Sequence, residues 1–179
     1  MKARLSGVVL APAFLSISLL SSCAVPPADE VEDREVRPAE GMVDRQEVEE
    51  VARVFLEALS QTDTTVLRSL MAPGLSLSSV RAGPEGPVIG HSTGEEFLIG
   101  LGGEDQELLE RMWDPVVYVQ GQVAMVWTPY DFFLNGEFSH CGIDVFTMLQ
   151  GGDGWMVTSI TYDVVREGCP PSPLGPPVG

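Results

Sequence analysis

The residues best suited to chemistry lie on either side of one tight turn. Asn135-Gly136 separates two runs rich in β-branched and aromatic residues, which is the strongest short signal for a two-residue hairpin. If Leu134 faces Glu137 across this turn, Asp131 lies opposite His140. A carboxylate beside an imidazole can act as a general acid or base, so the sequence predicts Asp131 and His140 as candidate catalytic residues.

Strand alternation places further side chains on the same predicted face. Four of them are candidate ligand-binding residues: Trp127, Phe133, Asp144 and Phe146. A carboxyl group among aromatic rings has a raised pKa, which suits removal of a proton next to a carbonyl. The alternative is a cross-strand ion pair that only fixes the register and contributes about 0.2–1 kcal/mol.

Other chemistries have little support in the residue pattern. There are two histidines, His91 and His140, without the spacing of metal-binding motifs, so no metal site is predicted. Nucleophile-elbow and phosphate-loop patterns are absent from the sequence, and no cofactor is expected. The glycines of 151–154 lie between predicted strands and are typical of a turn.

The elements that must position these residues are helices followed by strands. Helices are predicted from Asp44 (with Glu47 at capping-box spacing) through Leu59, from Asp63 or Thr64, from Ser92 or Thr93 through Leu101, and over 104–113. Strands are predicted over 75–82, 88–91, 116–119, 122–134, 137–149 and 155–165. This order predicts an α+β fold in which helices pack on one face of a curved antiparallel sheet.

Three segments carry a family resemblance: 123–132 (VAMVWTPYDF), 135–146 (NGEFSHCGIDVF) and 154–160 (GWMVTSI). They resemble nuclear transport factor 2-like, or SnoaL-like, domains of the lumazine-binding type, over roughly 45–166. The resemblance implies a cone-shaped sheet whose concave face holds N-terminal helices and a pocket, often with a homodimer formed through the other face. Isomerases, dehydratases, cyclases, transport factors and non-catalytic binding modules share this fold, so it does not choose a reaction.

The first 23 residues predict export with a lipid anchor. Lys2 and Arg4 precede the apolar stretch Val8–Leu20, which is shorter than the ~20 residues that span a bilayer. Leu20-Ser21-Ser22-Cys23 resembles the lipobox of bacterial lipoproteins, which implies cleavage before Cys23 and lipid on its sulfur. An ordinary secretory signal with an incidental Cys23 is the alternative.

The expected domains are a signal peptide (1–22), an acidic, proline-containing tether (23–43), a folded domain (44–168) and a proline-rich extended tail (169–179). The chain has 26 acidic and 10 basic residues, a net charge of −16. This excess argues against binding nucleic acid or anionic lipid through charge, so membrane attachment depends on lipid at Cys23. The predicted location is the bacterial cell envelope. Ala24, in place of the aspartate that retains lipoproteins at an inner membrane, favours the outer membrane where two exist.

Lipidation of Cys23 leaves two cysteines, Cys141 and Cys169, that can pair outside the cytoplasm. By the predicted strand pairing Cys169 extends beyond Cys141, so the tail would have to fold back to bring them together. Two reduced thiols are the alternative.

Three functions remain open from the sequence. The first is a membrane-anchored module that binds a small, largely apolar ligand, or serves as an accessory module, without catalysis. The second is a cofactor-independent isomerase, cyclase or dehydratase that uses Asp131 and His140. The third is an envelope protein-interaction module. A cavity of a few hundred Å³ favours the first two, whereas a face filled by Phe133, Phe138 and Phe146 favours the third.

Overall fold

A computed structural model describes residues 45–101 and 106–177. The signal peptide, the tether, the lipidation site Cys23 and the predicted cap Asp44 therefore lie outside the described residues. The elements in chain order are α1 (Arg45–Ser60), α2 (Thr64–Leu70), β1 (Met71–Gly83), β2 (Gly86–Thr93), α3 (Gly94–Leu101), β3 (Leu108–Met112), β4 (Val116–Gln120), β5 (Val123–Leu134), β6 (Glu137–Gly151) and β7 (Gly154–Val164).

The two short helices begin at side-chain caps that the sequence predicts. The Asp63 carboxylate accepts hydrogen bonds from the backbone N–H groups of Thr65 and Val66, each at 3.0 Å, and so starts α2. Thr93 and Glu96 form a reciprocal capping box at the start of α3, with the Glu96 carboxylate 2.8 Å from the Thr93 nitrogen. Both predicted helix starts are confirmed.

The strands form one curved sheet in the order β2-β1-β7-β6-β5-β3, and β4 also pairs with β5. Most neighbours are antiparallel, but β1 and β7 are parallel, so the sheet is mixed and not wholly antiparallel as the sequence suggests. The predicted α+β cone is confirmed. Helix α1 packs across the concave face and buries an apolar stripe in the core, formed by Val48, Ala52, Phe55, Leu56 and Leu59.

The predicted helix over 104–113 is wrong where the structure describes it, because residues 108–112 form β3. This strand pairs antiparallel with the end of β5, with Glu110 beside Phe132 and Arg111 beside Asp131. The apolar spacing of a short segment fits a helix or a strand, and here the open edge of β5 supplies backbone hydrogen-bond partners that favour the strand.

The proline-rich tail leaves the sheet but is not free of it. A disulfide joins Cys169 to Cys141 on β6, with the Cα atoms 6.1 Å apart. The Arg111 guanidinium, on the outer face of the sheet, donates a hydrogen bond to the Gly175 carbonyl at 3.0 Å. The described tail therefore folds back along the outer face, a correction to the prediction of a simple extended tail. Within 45–101 and 106–177, no helix is both long and apolar enough to cross a bilayer.

Candidate functional site

An extra residue in β6 decides which side chains meet at the site. Next to the turn, Leu134 pairs with Glu137 and Phe133 with Phe138, as predicted. The register then shifts at Ser139, the bulged residue, and beyond it the pairs are Phe132 with His140, Asp131 with Cys141 and Thr128 with Asp144. The expectation that Asp131 lies opposite His140 is therefore wrong.

The bulge divides the predicted face between the two sides of the sheet. His140, Asp144 and Phe146 line a cavity on the concave side. Asp131 and Phe133 lie on the outer side, beside the tail. Trp127 alternates with the buried concave-side residues of β5 and keeps 38% of its surface exposed.

The concave cavity has a volume of about 220 Å³. Its wall is mostly apolar and aromatic, with contributions from α1, α3 and the sheet that include Phe55, Leu59, Phe97, Phe132, Phe146 and Ile160. Its polar side chains are Glu110, Tyr130, His140, Asp144 and Tyr162. Several lining residues, among them Phe97, Phe132 and His140, retain partial exposure, so the cavity opens to solvent on one side.

Two carboxyl groups dominate the chemistry of this cavity. Asp144 on β6 is 2% exposed, and its Oδ2 atom has no hydrogen-bond partner in the structure. Glu110 on β3 lies within hydrogen-bonding reach of Asp144 and lines the same cavity. Two ionised carboxylates are acceptors only, so a hydrogen bond between them requires a proton on one.

Burial explains why this pair holds a proton. Loss of hydration raises the pKa of Glu110 to about 7, in spite of an opposing hydrogen bond from Asp144. Burial, followed by the negative charge of Glu110, raises the pKa of Asp144 well above its ordinary value. Near neutral pH the two groups therefore form an acid–carboxylate pair that can give or take one proton.

His140 contributes an uncharged ring to the same wall. It stacks on Phe132, with ring centroids 4.9 Å apart, and forms a T-shaped contact with Tyr130, with ring centroids 5.7 Å apart. Its Nδ1 shares a hydrogen bond of 3.0 Å with the Ser139 hydroxyl. Burial, helped by the positive charge of Arg166, lowers the pKa of His140, which favours the neutral imidazole at neutral pH.

The Tyr130 side chain is held in place by a hydrogen bond to the backbone of β7. Its hydroxyl donates to the Asp163 backbone carbonyl at 2.7 Å, and the Asp163 side chain accepts from the Ile143 nitrogen at 2.6 Å. Burial raises the pKa of Tyr130, so its hydroxyl stays protonated. Tyr130 therefore contributes its aromatic ring, and not a free hydroxyl, to the cavity wall.

Asp131 forms a buried ion pair on the other side of the sheet. Its two carboxylate oxygens accept hydrogen bonds from the Arg111 Nε and Nη2 atoms at 2.9 and 2.6 Å. The Arg111 guanidinium also lies 5.0 Å from the centre of the Phe133 ring, which meets Phe138 edge-on. The fold thus separates Asp131 from His140 and from the cavity.

Sequence reasoning missed Glu110, because it placed residue 110 in a helix. The signal was present in the alternation of Leu108, Glu110 and Met112, which puts an acid in the middle of an inward-facing apolar row. Among the residues that the structure describes, no group of three or more His, Cys, Asp or Glu side chains could hold a metal ion.

The cone and its concave cavity define the nuclear transport factor 2-like fold. The chain resembles a nuclear transport factor 2-like protein from Cytophaga hutchinsonii (14% identity, 69% of this chain and 100% of that one, TM-score 0.58). It resembles a candidate dehydratase of this family from Streptomyces avermitilis (19%, 68% and 96%, 0.55) and the association domain of a C. elegans CaMKII (20%, 66% and 93%, 0.52). No protein-family model and no curated protein sequence matches the chain. At these identities the likeness establishes the fold.

Proposed function

We propose that this protein is an exported lipoprotein, anchored through lipid on Cys23 to the bacterial cell envelope, whose folded domain binds a small, largely apolar ligand in the concave cavity. The observation that carries the binding function is the Asp144 Oδ2 atom, which is buried in the cavity wall without a partner. A buried acceptor without a donor costs about 1–3 kcal/mol, which a ligand's N–H or O–H group would recover.

The composition of the cavity supports the same proposal. Small-molecule sites are typically concave and apolar, with a few polar groups that orient the ligand. The volume of about 220 Å³ lies below the ~300–1,000 Å³ of sites for drug-sized molecules, so the ligand is small.

Titration of the full-length protein with 2-phenylethanol, followed by NMR, tests the binding function. We expect saturable shifts of His140 and Tyr130 signals. Ile160→Phe places a larger ring in the cavity wall and should abolish these shifts, since Ile160 is 5% exposed and lines the cavity. The matched control Ile89→Phe, on the exposed part of β2, should leave them unchanged. Shifts that are absent, or identical in the two variants, would contradict the proposal.

The lipid anchor is tested separately on the signal segment. Cys23→Ala removes the acceptor sulfur, so we expect the protein to leave the membrane fraction and its N-terminal peptide to lack the added acyl mass. Ser21→Ala keeps a small residue before Cys23 and should retain both properties. Membrane retention of the Cys23→Ala protein would overturn the proposed anchor.

A second candidate function is cofactor-independent proton transfer by the Glu110–Asp144 pair in place of Asp131 and His140. The pKa of about 7 at Glu110 favours it, because a general base works best near the operating pH. Exchange of the α-protons of cyclohexanone in deuterated water measures this activity. We expect the rate to rise with pH through about 7 and to fall at least tenfold in Glu110→Gln. An equal rate in that variant excludes the activity.

A homodimer through the outer face is proposed as well. That face exposes Tyr118 (61%) and Trp127 (38%), which lie on the paired strands β4 and β5. Sedimentation velocity of Trp127→Glu against the unmodified protein tests it, with a monomer expected only for the variant. The same sedimentation coefficient for both would remove this proposal.

A further inference from the structure

We propose that the concave cavity takes a small organic cation, a protonated amine whose ammonium group is held by Glu110 and Asp144 and whose apolar part lies on the aromatic wall. This assignment rests on the binding function proposed above and names the chemical class of its ligand.

The charge of the cavity wall is the first argument. Among the described residues that line it, Glu110 and Asp144 are acidic and none is Arg or Lys. Asp163 adds a further negative charge that acts on Asp144. The nearby arginines, Arg81 and Arg166, are exposed and do not line the cavity. The interior therefore offers negative charge without a cation to balance it.

A comparison within the same sheet gives the second argument. Asp131 and Asp144 are buried to nearly the same degree, with 3% and 2% of their surfaces exposed. Asp131 is paired in two hydrogen bonds with Arg111, whereas Asp144 has no basic partner and one oxygen without any donor. Buried carboxylates are normally paired, so the missing partner of Asp144 is best supplied from outside the chain.

The shape and surface of the wall fit the rest of such a ligand. The rings of Phe55, Phe97, Phe132 and Phe146 line the same cavity as the carboxyl pair. Aromatic faces attract a cation by about 0.5–2 kcal/mol, and a primary ammonium group offers three donors to the two carboxyl groups. A neutral alcohol offers one donor and no charge, and a carboxylate ligand would be repelled.

Calorimetric titration of the full-length protein at pH 7 with three matched probes tests the assignment. The probes are 2-phenylethylamine, 2-phenylethanol and phenylacetate, which share a ring and differ in the charge of the head group. We expect the amine to bind at least about tenfold more tightly than the alcohol, and phenylacetate not to bind. Amine binding should also release a proton, visible as a buffer-dependent enthalpy, because the ammonium group replaces the proton shared by Glu110 and Asp144.

Variants test whether the Glu110–Asp144 pair, and not the overall negative charge of the protein, holds the amine. Asp144→Asn and Glu110→Gln should each weaken amine binding about tenfold or more and change alcohol binding less than about twofold. The two variants test the assignment independently. If one of them does not fold, amine binding by the other is sufficient to test it. Glu137→Gln, an exposed acid at the outer end of β6, is the control and should change nothing.

The outcomes distinguish this inference from the binding function on which it rests. If the alcohol binds as tightly as the amine and Ile160→Phe blocks both, the assignment of a cationic ligand is overturned. The cavity then remains a binding site for small molecules. Amine binding that survives both carboxyl variants also overturns the assignment. Failure of all three probes to bind overturns both proposals.

Discussion

Asp131 and Asp144 show how the same side chain, equally buried, acquires different properties from its partners. Arg111 supplies a permanent counter-charge to Asp131, and the Asp131 carboxylate therefore has a structural role. Asp144 meets Glu110 instead, and burial together with like charge raises its pKa. The acid without a basic partner is therefore the one available for a ligand or a proton.

The Glu110–Asp144 pair should make the protein less stable as pH rises toward neutrality. The raised pKa values mean that the folded state binds more protons than the unfolded chain between 4.5, the ordinary value for Glu110, and about 7. The contribution of the pair to the free energy of unfolding is therefore greatest below pH 4.5 and is lost as pH rises through about 7. We expect a fall on the order of 2 kcal/mol across this range, measured by urea unfolding.

Glu110→Gln should flatten this pH dependence, since it removes one of the two titrating groups. Glu137→Gln, exposed and remote from the pair, should keep the slope of the unmodified protein. A slope that is unchanged in Glu110→Gln would show that other groups cause it.

Asp131→Asn should destabilise the fold and spare the cavity. The change leaves the Arg111 side chain, which is 16% exposed, without its counter-charge. Breaking a buried ion pair from one side costs about 3–5 kcal/mol, and we expect about 3 kcal/mol in chemical unfolding. Affinity for 2-phenylethylamine should stay within about threefold. A loss of binding without a loss of stability would instead show that Asp131 takes part in ligand binding.

At the scale of elements, the bulge at Ser139 limits what alternation could predict. The Asn135-Gly136 turn fixes the register of its immediate neighbours, and those pairs are correct. An unpaired residue changes the register beyond it, and the side chain of Ser139 carries no signal that distinguishes a bulge from a regular strand position. The hairpin could therefore be predicted from local residue types, whereas the face of Asp131 could not.

The close approach of β6 and β7 behind the cavity requires glycine at position 142. A Cβ atom there would overlap the Asp163 backbone carbonyl and lie 2.8 Å from the Tyr130 ring. We expect Gly142→Ala to lower the free energy of unfolding by about 2 kcal/mol, because β7 must move to admit the methyl group.

Gly100→Ala is the matched control for this prediction. Gly100 lies in α3, where an added methyl group would meet no atom within 4 Å, and alanine favours the helical backbone. Its substitution should stabilise the protein by about 0.5–1 kcal/mol in the same thermal or urea unfolding assay. Equal destabilisation by the two changes would contradict the role given to residue 142.

At the scale of the whole molecule, the sheet separates two environments. The concave side carries the cavity, and the outer side carries the Asp131–Arg111 pair and the tail. The helix-then-strand order was sufficient to predict this α+β architecture, because periodicity changes from 3.6 to 2 along the chain. The parallel β1–β7 pair and β3 depend on contacts between distant segments, which local patterns do not record.

The disulfide should stabilise the protein mainly through the tail and the outer face. Cys141 and Cys169 are 28 residues apart, and closing a loop of this length contributes about 3.5 kcal/mol in chain-entropy terms. We expect the double change Cys141→Ser and Cys169→Ser to lower the free energy of unfolding by about that amount and to speed proteolysis of residues 169–177. Binding of 2-phenylethylamine should persist, since both cysteines lie outside the cavity. Unchanged stability would show that the disulfide adds little constraint to the unfolded chain.

The parallel pairing of β1 with β7 also sets the order of events while the chain is being made. Apart from β2, the neighbour of β1 in the sheet is β7, which comes last among the strands. A growing chain that has not reached Gly154 therefore leaves one edge of β1 open, and the sheet closes in a late step. Until β7 is made, that unpaired edge of β1 is free to pair with another chain, so association between unfinished chains is the hazard that this topology carries during synthesis.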